Sequence, residues 1–449
     1  MQRPSANGAN QRPLGRLLLP AQEFIATEAA GGVALLAGAL VALAWANSPW
    51  SARYVELFDA TVLVDVGFYR VEESLRHWIN DAAMAWFFLL VGLEIKRELV
   101  LGELRTLRRV ALPAAAAAGG MVAPALIFLL IAPDAARHGW GVPIATDIAF
   151  AVGVAALAGP RVSDGLKVLL LAIAIFDDIA AVAVIALFYS GAIDAGPVVV
   201  TVALLSGVWL LARLRVRSLA VYVAVGALAW AAALKSGVHP TIVGVALGLI
   251  TPVRAHVTAH EFAAEAGAML DELRHPEAGE APAPGALDPE ALLRLRRLSG
   301  RALAPLDQLE HGLHRWVAFG VVPLFALANA GIDVRGGALE DALTSGVAWA
   351  VALGLLVGKP LGIVAAAWLA VRVGAELPRG VRWRGVAGVG MLAGMGFTVA
   401  LFVAELAFDD GGQLAAAKLG IFGASLASGL AGYALLRAHG AAHEVSDAR

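Results

Sequence analysis

Long apolar stretches separated by short polar connections dominate this chain. A helix needs roughly 20 apolar residues to cross a bilayer. By that measure twelve stretches predict transmembrane helices, at 31–47, 79–95, 110–132, 143–159, 168–189, 196–212, 218–234, 238–253, 316–332, 345–371, 386–407 and 415–436. The fourth and eighth are short and contain or adjoin proline and glycine. Ahead of the first, Leu17–Leu19 are too brief an apolar run for a signal peptide, so residues 1–30 predict a cytoplasmic tail with an interfacial helix. In the first connection, TVLVDVGFYRV gathers β-branched and aromatic residues around Gly67, which predicts an extramembrane β-hairpin over 59–74, with an ordinary loop as the alternative. The longest connection, 252–315, holds HPEAGEAPAPGALDPE, a linker with little to bury, and then ALLRLRRLSGRAL, a basic amphipathic helix suited to the cytoplasmic surface. The fold class is an all-α polytopic membrane protein, with a transmembrane domain over 31–437 and a cytoplasmic tail over 438–449.

Charge gives the orientation. Cations crowd the N-terminal tail (Arg3, Arg12, Arg16), the second connection (Lys96, Arg97, Arg105, Arg108, Arg109), the fourth (Arg161, Lys167) and the sixth (Arg213, Arg215, Arg217). Odd connections are poor in cations or acidic, as at Asp194, at Asp333, Glu340 and Asp341, and at Asp409 and Asp410. The positive-inside rule then places both termini in the cytoplasm. Composition agrees: 59% of residues are hydrophobic and 16% charged, and the mean hydropathy is +0.74, far from a soluble protein. A net charge of -2 gives no reason to expect a nucleic-acid partner. The absence of cysteine excludes disulfides, thiolate metal sites and cysteine nucleophiles.

Three places break the apolar pattern. In AIAIFDDIAAVAVIALFY, Asp177 and Asp178 are the only charges from Val168 to Tyr189. Each costs about 2.5–3.5 kcal/mol at a helix centre, while Leu, Ile, Phe and Val return about 0.3–0.6 kcal/mol each. The span has thirteen of those four residues, so it can insert, but the pair brings no structural return. Intramembrane carboxylates mark ion paths and proton relays. Neighbours on a helix point about 100° apart, so one aspartate can line a cavity while the other meets a partner. Lys359, the only charge between Ala342 and Val371, supplies a partner. It lies too far from either end of its span to snorkel, and Pro360 disfavours helical geometry at it. The third place is PIATDIAFAVG, where Asp147 is the lone charge between Trp140 and Pro160. Thr146 and Asp147 are good N-caps after Pro143, so Asp147 caps a half-helix, lines a cavity, or does both. Gly390, Gly394 and Gly396 loosen the eleventh span in a similar way, or serve close helix packing.

Carboxylates, a hydroxyl and exposed carbonyls make a hard, oxygen-donor site for a hard cation, and a proton competes for the same carboxylates. Exchange of one for the other with alternating access is cation/proton antiport. Two clusters near span ends are candidates for pH sensing: Glu94, Lys96, Arg97 and Glu98 in VGLEIKREL, and Glu310, His311 and His314 in LEHGLHRW. The residues alone favour a plainer reading, solvated helix ends that set topology. His239, in LKSGVHPTIVG, is equally open.

These stretches, with WINDAAMAWFFLLVGLEIKREL, PLFALANAGI, GLLVGKPLGI and GMGFTVALF, resemble the bacterial NhaA-type sodium/proton antiporter family in its order, across most of residues 25–437. The resemblance implies an inverted-repeat transporter (about 110–189 and 345–436) whose interrupted fourth and eleventh spans cross near mid-membrane. It implies that Asp178 and Asp177 bind sodium and protons with Thr146 nearby, that Lys359 pairs with Asp177, and that Asp147 and Lys359 compensate charge. It assigns Glu94, Glu98, Glu310, His311, His314 and His239 to pH response and marks Asp81, in WIND, as a further family acid. It also implies electrogenic exchange with lithium accepted, no cofactor beyond the transported ions, a homodimer joined through the 59–74 hairpin, and residence in the bacterial inner membrane. The 252–315 connection departs from the family pattern: it is longer than the short one typical of the family, and its linker lies directly before Glu310.

Two other classes fit less well. An intramembrane aspartyl protease would carry a GxGD motif, and none occurs; HEFAA at 260–264 lacks the second histidine of a metalloprotease. The alternative transporter reading is a sodium-coupled solute symporter, for which no organic-substrate motif is visible.

Overall fold

A computed structural model of the protein describes residues 14–65, 70–102, 107–159, 162–214, 216, 219–255, 257–274, 289–335, 337–378 and 380–447. The hairpin turn with Gly67, the linker over 275–288 and the first thirteen residues lie outside the described residues. The protein is mostly helical, and each apolar stretch identified above coincides with helix. Among the described residues, six helices are long and apolar enough to cross a membrane: Leu75–Val100, Val110–Ile131, Asp164–Phe188, Ala195–Arg213, Gly346–Arg372 and Gly411–Ala438. The number rises to nine if each of three bent pairs counts as one span. Leu130, Leu157, Leu187, Val373 and Leu426 all face outward. Such an apolar exterior suits lipid, not water.

Two segments differ from expectation. Helix Leu14–Ala46 is continuous, so the interfacial helix expected before residue 31 merges with the first apolar stretch. The last helix, Gly411–Asp447, likewise runs on through the expected C-terminal tail. In both cases backbone hydrogen bonding continues the helix past the point where apolar residues stop.

The small sheet pairs Thr61–Asp65 with Arg70–Ser74 in antiparallel register, from Thr61 opposite Ser74 to Asp65 opposite Arg70. It leads directly into helix Leu75–Val100. The long connection folds into helices Ala259–Arg274 and Pro289–Ala302, and then Pro305–Trp316 enters the next apolar stretch.

Helices Leu107–Ile131 and Gly346–Arg372 lie unusually close. A side chain on Gly358 would come within 2.8 Å of the Pro124 Cα, and Gly119 and Gly362 press on each other's backbone. This contact drives Lys359 into the interior. Lys359 itself is helical, with φ -64° and ψ -52°, contrary to the expectation from Pro360. The π turn Gly354–Gly358 explains it. A proline has no N–H to donate and its ring cannot sit close to the preceding turn, and the wider π turn accommodates both.

Two breaks meet in the centre. A 3-10 helix, Asp134–Ile144, gives way to extended backbone and then to helix Ile148–Leu157, a bend of 51°. Helices Trp383–Ala393 and Phe397–Ala407 bend by 44° across Gly394–Gly396. The Asp147 N–H donates to the Met395 carbonyl at 2.6 Å, so each break satisfies backbone groups freed by the other.

Candidate functional site

The crossing of the two breaks leaves four helix ends facing one another: two carbonyl ends with partial negative charge and two N–H ends with partial positive charge. Each has a side chain to meet it. At the carbonyl ends, the Lys359 ammonium donates to the Ile144 carbonyl, and the Thr146 hydroxyl lies 3.0 Å from the Ala393 carbonyl. At the N–H ends stands Asp147. Its Oδ1 accepts from the Phe150 N–H at 3.1 Å. Its Oδ2 accepts from the Thr398 N–H at 3.0 Å and the Thr398 hydroxyl at 2.5 Å. Asp147 therefore caps its own half-helix and the opposite one together. Thr398 was not singled out in the sequence, because a threonine after glycines in GMGFTVAL carries no charge to mark it.

Helix Asp164–Phe188 brings both central aspartates to this crossing. Asp177 Oδ2 is 2.9 Å from Lys359 Nζ, with both side chains 0% exposed, and 2.6 Å from the Thr146 hydroxyl. A hydroxyl has one hydrogen. Thr146 can thus donate to Asp177 or to the Ala393 carbonyl, and protonation of Asp177 would turn that chain of donors around. Asp177 Oδ1 is buried with no hydrogen-bond partner among the described residues.

Asp178 points elsewhere. It lines a cavity of about 50 Å³ together with Thr146, Asp147 and Thr398, and the lining extends to Glu94 and His314. A buried water needs roughly 10–15 Å³ of such space, so the cavity can hold water or an ion. The donors are oxygens, which suit a hard monovalent cation better than a soft metal. No group of three His, Asp or Glu side chains able to hold a resident metal ion occurs among the described residues.

The candidate pH residues fall into two separate places. Glu310 is buried and pairs with Arg97 at 2.5 Å, while its Oε2 has no hydrogen-bond partner among the described residues. Burial pushes the Glu310 carboxyl above its ordinary value, against the opposing pull of Arg97. Burial holds the His314 imidazole below its ordinary value, with His311 adding to the effect. The exposed His311 ring is 2.8 Å from the Asp307 carbonyl. Glu94 and Glu98 occupy the facing helix, Leu75–Val100. His239 belongs to a different cluster: its Nε2 is 3.6 Å from Asp81 Oδ1, its Nδ1 is 2.7 Å from the Thr241 hydroxyl, and its ring packs on Phe402. The pairings of Arg97 with Glu310 and Asp81 with His239 span long sequence separations, and nothing local in the chain announces them.

A second ion pair, largely buried, joins two residues not singled out in the sequence. Lys418 Nζ lies 2.6 Å from Glu405 Oε1, with side chains 8% and 12% exposed. The signal was present: Glu405 is the only charge from Gly385 to Phe408, and Lys418 the only one from Gly411 to Leu436.

Comparison with known proteins follows the same lines. The Na+/H+ antiporter 1 family matches residues 22–436. The Na(+)/H(+) antiporter NhaA 2 of Sorangium cellulosum is 49% identical over 420 residues, covering 93% of this chain and 89% of that protein. The protein of the same name from Syntrophotalea carbinolica is 46% identical over 421 residues, covering 93% and 96%. The Na(+)/H(+) antiporter NhaA of Oleidesulfovibrio alaskensis is 43% identical over 440 residues, covering 97% and 98%. These matches lend no support to a solute symporter. A multi-pass membrane protein with paired carboxylates at a crossing of broken helices, this chain belongs to the Na+/H+ antiporter 1 family.

Proposed function

We propose that the protein is an electrogenic Na+/H+ antiporter that also accepts Li+, exporting sodium from the cytoplasm in exchange for protons. The observation that carries this reading is the division of labour between adjacent aspartates: Asp178 lines the central cavity, while Asp177 is held by Lys359 and Thr146. Sodium enters from the Glu94 and His314 end and displaces a proton from Asp178. Asp177 and Lys359 carry the second charge change, which makes the exchange unequal and therefore electrogenic. Alternating access then turns the loaded site to the other face. Asp147 stays ionised throughout as the counter-charge to two helix N-termini.

In this reading the chain crosses the bacterial inner membrane twelve times with both termini cytoplasmic. The interrupted fourth and eleventh spans belong to inverted repeats over about 110–189 and 345–436. The Arg97–Glu310 pair and His314, at the mouth of the cavity, make the exchange pH-dependent. The hairpin around 59–74 joins two copies, since the strand edges of an isolated hairpin are open to pairing.

Inside-out vesicles with an imposed proton gradient test the proposal. Addition of sodium or lithium should dissipate the gradient, and Asp178→Asn should abolish the response. Full sodium-dependent exchange by that variant would overturn the site assignment.

A further inference from the structure

The Glu405–Lys418 pair is left unused by this mechanism, and its position gives it a purpose. Each residue is the sole charge in its apolar stretch, and a well-packed apolar pair would be at least as stable in its place. Ionisable groups kept inside a membrane protein mark transport paths. Thr398, Phe402 and Glu405 follow the spacing i, i+4, i+7 on helix Phe397–Ala407, so they share one face. Thr398 faces the cavity that Asp178 lines. Glu405 lies seven residues further, about 10 Å along the helix at its ordinary rise.

Phe402 stands between them. It is fully buried, with the rings of Phe88, His239 and Phe325 at 5.5, 5.3 and 6.1 Å. This collar separates the cavity from Glu405. The cavity reaches Glu94, whereas Glu405 and Lys418 lie within electrostatic range of Tyr54, Asp59 and Arg76, next to the hairpin. Leu75, at the hairpin, and Glu94 lie on one helix, about 28 Å apart along it at the same rise. Glu405 is therefore on the path from the central cavity to the hairpin face, just past the aromatic collar.

We infer that Glu405 is a second, transient sodium site on the hairpin side of Phe402, closed by the Lys418 ammonium until an arriving cation replaces it. Sodium adds one positive charge beside Lys418, so as it binds Glu405 the displaced ammonium gives up one proton to water at the hairpin face; one cation enters, one proton leaves, and the net charge of the site is unchanged. This rests on the antiport reading above.

Sodium dependence measured from each face tests it, with inside-out vesicles exposing the Glu94 face and right-side-out vesicles the hairpin face. Glu405→Gln should raise the KM for sodium about tenfold from the hairpin face, equivalent to about 1.4 kcal/mol, and leave it within about twofold from the other. Lys418→Gln should lower the hairpin-face KM, because it frees the carboxylate; loss of a purely structural pair would move both variants in the same direction. In purified Asp178→Asn/Lys418→Gln protein, sodium should still raise the melting temperature, and adding Glu405→Gln should remove that shift. This binding readout decides the matter even where a variant transports poorly. If Glu405→Gln alters both faces equally or neither, and sodium protection is unaffected, Glu405 is only a structural partner. The antiport reading would survive that result, and falls instead if Asp178→Asn exchanges sodium normally.

Discussion

The two interior lysine–carboxylate pairs use the same charges and differ in everything around them. Lys359 also donates to the Ile144 carbonyl, and Asp177 also contacts Thr146, so four groups on three chain segments depend on one another. Lys418 and Glu405 are joined by a single ion-pair contact, on two consecutive helices near the hairpin face. The first arrangement is a network with no exposure at all. The second keeps slight access to solvent. A network holds helix ends in place, while a single contact can open.

That contrast orders the effects of breaking each pair. Lys359→Ala should be the most damaging single change. It leaves the Asp177 carboxylate unpaired in a fully buried site, which costs about 3–5 kcal/mol, and also frees the Ile144 carbonyl. Lys418→Ala should cost less, about 1–3 kcal/mol, since one charge-assisted contact with some solvent access is lost. Melting of the purified variants at pH 7 gives the order, and a Lys418→Ala protein melting lower than Lys359→Ala would reverse the comparison.

Thr398 sharpens it from the other end of the crossing. Thr398→Val removes the hydroxyl donor to Asp147 but keeps the backbone donor. Loss of one hydrogen bond to a charged group costs about 1.5–3 kcal/mol. The expected result is a lower melting temperature with slower exchange, and Thr398→Ser should restore both. Recovery with valine alone would mean that the backbone N–H is sufficient to hold the two N-termini.

The central pair was legible from sequence for a simple reason. Asp177, Asp178 and Lys359 sit mid-stretch, where a charge has no ordinary excuse. Glu405 and Lys418 escaped notice because they lie two and three residues from the expected ends of their spans, 386–407 and 415–436, where charges are common. Hydropathy located each helical stretch but not its ends, since helix Leu14–Ala46 continues through polar residues that hydropathy discounts. Pro360 misled locally, because a π turn ahead of it is invisible in residue order. Pairings such as Arg97 with Glu310 depend on which helices adjoin, and sequence spacing does not encode that.

The smallest expected effect lies at the mouth of the cavity, and there the sign is informative. His314 is held below its ordinary value by burial. As pH falls below about 6.5, the unfolded chain takes up a proton that the folded protein refuses, so stability falls until the lowered value is passed. Glu310 is raised by burial and works in the opposite sense. Its shift stabilises the folded state below the ordinary carboxylate value and is lost as pH rises through the raised one. Where these windows overlap the two slopes oppose each other, which flattens the native profile. Glu310→Gln should therefore expose a steeper loss of stability on acidification below pH 6.5, and His314→Gln should leave a slope of the opposite sign. Melting temperatures from about pH 4.5 to 7 resolve the two. Parallel profiles for both variants would show that this helix, Pro305–Trp316, does not feel their titration, and with that the cavity mouth would lose its claim to make the exchange pH-dependent.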